Sequence, residues 1–154
     1  MLSRLINLIS DHWEVIATRV IRQMRRNADL LEMGKLSERD LTERTREILT
    51  QLPTWLISSE AEVASHYELL GRRRSAEGIP LYEVVRALQL IKESAIAYIR
   101  DQGMARSTVD LYTSEEFEHD MGRMFDKMIF SVVRGYEKSM RAAPEGVKPA
   151  ASQV

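Results

Sequence analysis

The chain of 154 residues contains no cysteine, seven glycines, four prolines, few aromatic residues and no excess of charge of either sign. Each shortage excludes something. Without cysteine there is no disulfide framework, no thiolate metal site and no cysteine nucleophile, which suits a reducing cytoplasm. A formal net charge of −1, with acidic and basic residues interspersed, argues against direct nucleic-acid binding, which shows as a basic domain or face. No apolar run approaches the ~18 residues of a membrane span. The opening MLSRLINLIS is too short and too polar for a signal peptide. A Gly-rich phosphate loop, a G-x-S-x-G elbow and an H-E-x-x-H pair are all missing. No Ser/His/Asp set can be assembled from spacing alone. The expectation is a cytoplasmic protein with no membrane partner that is not an enzyme.

What is present is helical periodicity. Strict polar–apolar alternation is missing, so no strand is expected. The first block runs from Leu2 to Arg26, with Trp13, Ile16, Val20, Ile21 and Met24 at helical spacing. A break at Ser10-Asp11 is one option, with Asp11 and Glu14 capping a fresh start. Residues 27–35 form a connector, and Ser37 caps a helix with Glu38 and Asp40 in its first turn. Pro53 ends or kinks that helix, with Thr54 available to cap the next segment. A further helix covers Glu60 to Ala76. Gly78 suits the position just past its end, and Pro80 the first position of the next. From Leu81 a broad apolar stripe continues to Ile99, and Gly103 stops it. A last helix is predicted from Ser114 to Arg141, and 142–154, rich in Ala, Pro, Gly and Ser, reads as a flexible tail or linker start. The predicted fold is one all-α domain, 1–141, of five or six helices.

Candidate ligating groups are sparse. There are three histidines, His12, His66 and His119. Glu116 and His119 have the E-x-x-H spacing of bundle di-iron sites, but such sites need two pairs and further carboxylates, so no metal is expected. His66 is the one candidate for a proximal haem ligand, and it shares its helix with Glu60, Glu62 and Glu68. No cofactor is expected. The alternative is a haem- or small-ligand-binding helical sensor.

The segment GRRRSAEGIPLYEVVRALQLIKESAIAYI, 71–99, joins three arginines to a Gly-x-Pro break. Arg72, Arg73 and Arg74 at a helix C-terminus interact favourably with the macrodipole. The functional alternative is a partner or anion contact through Arg72, Arg73, Arg74 and Glu83, since guanidinium forks suit bidentate pairing. Gly78 and Pro80 are expected to set the helix corner.

This segment resembles the G-R-x-R-A-x-x-G-I-P-L-x-E-x-x-R-A-L stretch of the RsbRD-type N-terminal domain, named for the RsbT co-antagonists. The matching positions are Gly71, Arg72, Arg74, Gly78, Ile79, Pro80, Leu81, Glu83, Arg86, Ala87 and Leu88. MFDKMIFSVVRGYEKSM is similar to that family's last helix through Phe125, Asp126, Val133, Arg134, Gly135, Tyr136 and Glu137, and Trp13 suits the first helical block. The resemblance implies an N-terminal domain of bacterial signalling proteins: stressosome co-antagonists, histidine kinases and PucR-like regulators. Such domains receive or transmit a signal without enzymatic activity, form dimers and are similar to globins that lack haem. Where globin-type sensors carry their haem histidine, about one turn before such a corner, this chain has Arg74 and Ser75. No STAS, kinase or DNA-binding sequence is expected within residues 1–154. Both a domain of a longer protein and a stand-alone relative acting through a partner fit that.

The resulting expectation is a sensory or regulatory domain, homodimeric, that passes helix-packing shifts to an output domain or partner protein. The last helix is the predicted output element. Met121, Met128, Val132, Gly135 and Tyr136 are its predicted signal and dimer face.

Overall fold

The computed structural model describes residues 2–102 and 108–151, with side chains over 2–102 and 114–142. Within these, six α-helices follow one another: α1 Leu2–Asp11, α2 Trp13–Arg26, α3 Glu38–Trp55, α4 Glu60–Ala76, α5 Leu81–Asp101 and α6 Thr108–Ala151. A single 3-10 turn, Met33–Lys35, interrupts the connector between α2 and α3. No strand occurs among the described residues. The domain is all-α, as predicted.

The helix ends follow local chemistry. Between α1 and α2 the backbone leaves helical geometry at His12, where φ is −110° and ψ 31°. The break is real, but Asp11 does not cap it. His12 occupies the cap position, and its Nδ1 lies 2.9 Å from the Leu8 carbonyl. The Ser37 hydroxyl accepts the Asp40 N–H at 3.0 Å and starts α3. Pro53 does not end α3, which runs two residues further to Trp55. A proline there removes one i→i−4 hydrogen bond, but so close to the helix's end its kink disturbs no long helix beyond it. Ser59 caps α4. Its hydroxyl accepts the Glu62 N–H at 3.1 Å, and the Glu62 carboxylate accepts the Ser59 N–H at 3.0 Å, a reciprocal capping box.

The central element is α5, which touches α1, α2, α4 and α6. Its sequence explains this. Val84, Leu88, Ile91, Ala95 and Ile99 form one stripe, while Leu90 and Tyr98 widen it, and all are buried. A stripe that wide needs neighbours on two sides. On one side α2 packs on α5 and on α3, which also carries α1; on the other lies α6, whose largest contact is with α4.

The helix α6 is longer at both ends than the predicted 114–141. Gly103 and residues 152–154 lie outside the described residues. The predicted dimer face has a different role. Met121, Met128 and Val132 are 0 % exposed, and Gly135 and Tyr136 are buried with them. They face this chain's own core, where burial of each large apolar side chain contributes roughly 1.5–3 kcal/mol. A second copy cannot reach them.

Candidate functional site: the α4–α5 corner and its contacts with α6

The corner begins with glycine. Gly78 has φ +77°, the left-handed region in which a side chain is strained. Its N–H reaches the Ser75 carbonyl at 3.0 Å, and the Ile79 N–H reaches the Arg74 carbonyl at 3.2 Å. This is the paired closure of a Schellman motif, with Glu77 at the C-cap. Ile79 is 5 % exposed and carries the turn's apolar anchor into the core. Pro80 occupies the cap position before Leu81 rather than the first helical position. Its carbonyl accepts the Glu83 and Val84 N–H groups at 3.0 and 3.2 Å.

Three side chains tie this corner to the rest of the fold. Tyr136 of α6 donates its hydroxyl to the Ile79 carbonyl at 2.6 Å in a buried setting. Glu77 receives both terminal nitrogens of Arg44 from α3, at 2.8 and 2.9 Å, and one nitrogen of Arg74 at 3.4 Å. Burial works to raise the Glu77 carboxyl, but the Arg44 hydrogen bonds and the charges of Arg74 and Arg44 outweigh it. The group is held below the ordinary glutamate range. Glu83, 0 % exposed, accepts the Met33 N–H at 2.8 Å and the Glu32 N–H at 3.2 Å. A carboxylate thus supplies the start of the 3-10 turn with acceptors for donors that no helical carbonyl satisfies.

The arginine cluster therefore splits. Arg72 and Arg73 are exposed and available at the surface. Arg74 is 8 % exposed and spent on Glu77, and Glu83 points inward, where a partner protein cannot touch it. Beside Arg44 and Arg74 lies a cavity of 30 Å³, room for about one water.

Two glycines bring α4 and α6 into backbone contact. A Cβ on Gly71 would lie 2.0 Å from the Val132 carbonyl oxygen, and one on Gly135 would lie 2.0 Å from that of Glu68. Gly122, which shares α6, meets nothing within 4 Å. Beyond this crossing the same two helices leave a groove of 630 Å³, with Trp55, Val63 and Met124 among its lining.

The remaining candidates have structural surroundings. The ring of His66 lies 4.8 Å from that of Trp55 and 4.9 Å from that of Tyr67. Trp55 Nε1 donates to the Tyr67 hydroxyl at 2.9 Å. Burial pushes the His66 imidazole below its ordinary pKa. His66 lines neither the 630 Å³ groove nor the 30 Å³ cavity. Glu116 and His119 are exposed, and no cluster of three or more metal-ligating side chains occurs among the described residues. No helix of the described residues is long and apolar enough to cross a membrane.

The corner and its tyrosine lock lie within the segments that resemble a known family. Residues 14–145 match the RsbT co-antagonist protein rsbRD N-terminal domain. The chain belongs to this family. The match covers the corner, the α4–α6 crossing and most of α6. The rsbRD N-terminal domain is a regulatory domain. No curated protein and no solved structure matches the chain.

Of the functional residues, sequence reasoning missed Gly71 as a helix crossing, Tyr136 as a lock on the corner and Glu83 as an internal cap. The first carried a faint signal, a glycine within an otherwise strong helix. The other two act on backbone groups 50 or more residues away, and no local pattern reports that.

Proposed function

We propose that this domain is a non-catalytic sensory or regulatory input module of a bacterial signal-transduction protein, acting in the cytoplasm. It works as a homodimer and passes a shift in helix packing along α6 to an output domain or partner protein. The observation that carries this reading is the buried bond from Tyr136 to the Ile79 carbonyl. It joins α6 directly to a corner that also holds α3 through Arg44 and the 27–37 connector through Glu83. Displacement of any of these elements changes the seat of α6, and packed contacts of this kind switch between discrete arrangements rather than deform gradually. The family match supports a regulatory role.

The test is made in a cell carrying a stress-responsive transcriptional reporter and the protein at its native level. Tyr136→Phe should change the reporter's induction while the protein's abundance stays within about twofold, because the lost hydrogen bond lowers stability only modestly. Unaltered induction both in that strain and in one lacking the domain would sink the reading.

A further inference from the structure

Past the glycine crossing α4 and α6 leave room between them, and the groove of 630 Å³ lies in that opening. Two ion pairs tie the helices alongside it: Lys127 reaches Glu60, and Lys138 holds Glu68 at 2.9 Å. Charged and polar side chains make up most of the lining. Trp55, Val63 and Met124, each only partly buried against the core, supply its apolar part, and the Phe130 ring, 66 % exposed, stands beside them. A recess of this size, in which apolar and aromatic surface meets a few polar groups, has the usual form of a small-molecule site.

One polar group of that lining lacks a partner. Ser131 is 5 % exposed, and its hydroxyl makes no hydrogen bond among the described residues. Thr18, Thr45 and Thr50, on other helices, each turn a hydroxyl to the carbonyl four residues back, the common local way to satisfy such a group. Only the Ser94 hydroxyl, among the described residues, is both unpaired and sealed from the surface; that of Ser131 opens on the groove it lines. One turn further along the same face of α6 stands Arg134. Its guanidinium has only a loose contact with Glu68, at 3.7 Å. The Lys138 hydrogen bond, with the charges of Lys138, Arg134 and Arg72, holds the Glu68 carboxyl below the ordinary glutamate range. Three cations around one carboxylate leave an excess of positive charge at this end of the groove. The lining's other acidic groups outside those ion pairs, Asp120 and Asp126, precede Ser131 by about 16 and 7.5 Å along the helix axis.

We propose that the groove binds a small amphipathic carboxylate with an aromatic body. The carboxylate accepts from the Ser131 hydroxyl and from the Arg134 guanidinium, a charge-assisted pairing. The ring lies on Trp55, Val63 and Met124 with Phe130 beside it, where aromatic faces add to the burial of apolar area. A neutral ligand of the same shape leaves Arg134 with its loose contact and gains less. Bound there, the carboxylate touches both α4 and α6 next to their crossing, so occupancy bears on how α6 is seated. The site deepens the proposed regulatory function by naming the class of molecule sensed, and rests on that reading only in making binding an input.

A heteronuclear NMR titration of the full chain decides it, with naphthylacetate as the probe, uncharged naphthylacetamide as its control and far-UV circular dichroism as a check on folding. The acid should bind with a Kd of about 1 mM or tighter, the scale for a ligand of that size, and move amide signals of 63–68 and 127–134. It should bind about tenfold or more tighter than the amide, the margin of a hydrogen bond to a charged group. Arg134→Gln, at an exposed position, should remove that preference and leave the affinity for the amide as it was. Ser131→Ala should weaken the acid by about three- to tenfold. Phe130→Ala, which removes an exposed ring, should weaken acid and amide alike. Failure of the acid to bind, or equal affinity for acid and amide, overturns the proposal. So does acid binding that any of the three variants, once folded, leaves unchanged. The regulatory reading has its own test in the reporter response to Tyr136→Phe, and stands if this site fails.

Discussion

The hydroxyl of Tyr136 meets the carbonyl of Ile79 at 2.6 Å across 57 residues of sequence, and neither group touches bulk water. Tyr136→Phe removes the donor and keeps the ring. The Ile79 carbonyl then loses its partner in a dry setting, which costs about 1–2 kcal/mol. Urea unfolding should show a lower midpoint with an unchanged slope. An unchanged midpoint would mean that water replaces the phenol and that the corner is not locked by α6.

Gly71 and Gly135 should tolerate nothing larger. A methyl group at either collides with backbone rather than with a side chain that can swing away. Gly71→Ala and Gly135→Ala should each destabilise by roughly 3 kcal/mol or more, at or beyond the upper end for overpacking. Gly122→Ala is the control on the same helix. With open space at that position, it should stabilise by about 0.5–1 kcal/mol through helix propensity. Thermal melts of the three variants must separate in sign.

Glu83 holds the connector. Glu83→Ala leaves the N–H groups of Met33 and Glu32 without acceptors and should cost about 2–4 kcal/mol for the two. Hydrogen exchange should quicken first at those two amides. If they exchange as in the wild type, the cap is not what orders the 3-10 turn.

Acid should loosen the corner through Glu77. Its carboxyl is held below its ordinary value in the fold, so its stabilisation is complete above the unfolded value and is lost as pH falls through the folded one. Glu77→Gln should lower stability at neutral pH by about 1 kcal/mol, modest because the side chain is 36 % exposed. The variant should also show a shallower loss of stability below about pH 4. Parallel acid titrations of the two proteins, followed by circular dichroism, test this.

Much of the architecture was legible from periodicity and punctuation. Gly78 reads as a residue past a helix end because a left-handed backbone favours glycine, and its φ of +77° agrees. Ser37 reads as a cap because its hydroxyl acts within three residues. The partners of a face are another matter. The stripe of Met121, Met128 and Val132 says that α6 is covered, and nothing in its spacing tells cover by α4 and α5 from cover by a second copy. Glu83 shows the same limit for polar groups. A carboxylate in a first turn reads as solvent-facing, and only the folded chain brings the connector's amides to it. Pro53 misleads for a simpler reason, since a proline near a helix end weakens the helix without stopping it at that residue.

The glycine crossing has a mechanical consequence. Most helix contacts are cushioned by side chains that can change rotamer, so a small displacement of one helix is partly absorbed before it reaches the next. Where Gly71 meets Val132 and Gly135 meets Glu68, there is no such cushion. The junction is stiff, and a tilt of α4 arrives at α6 without slack.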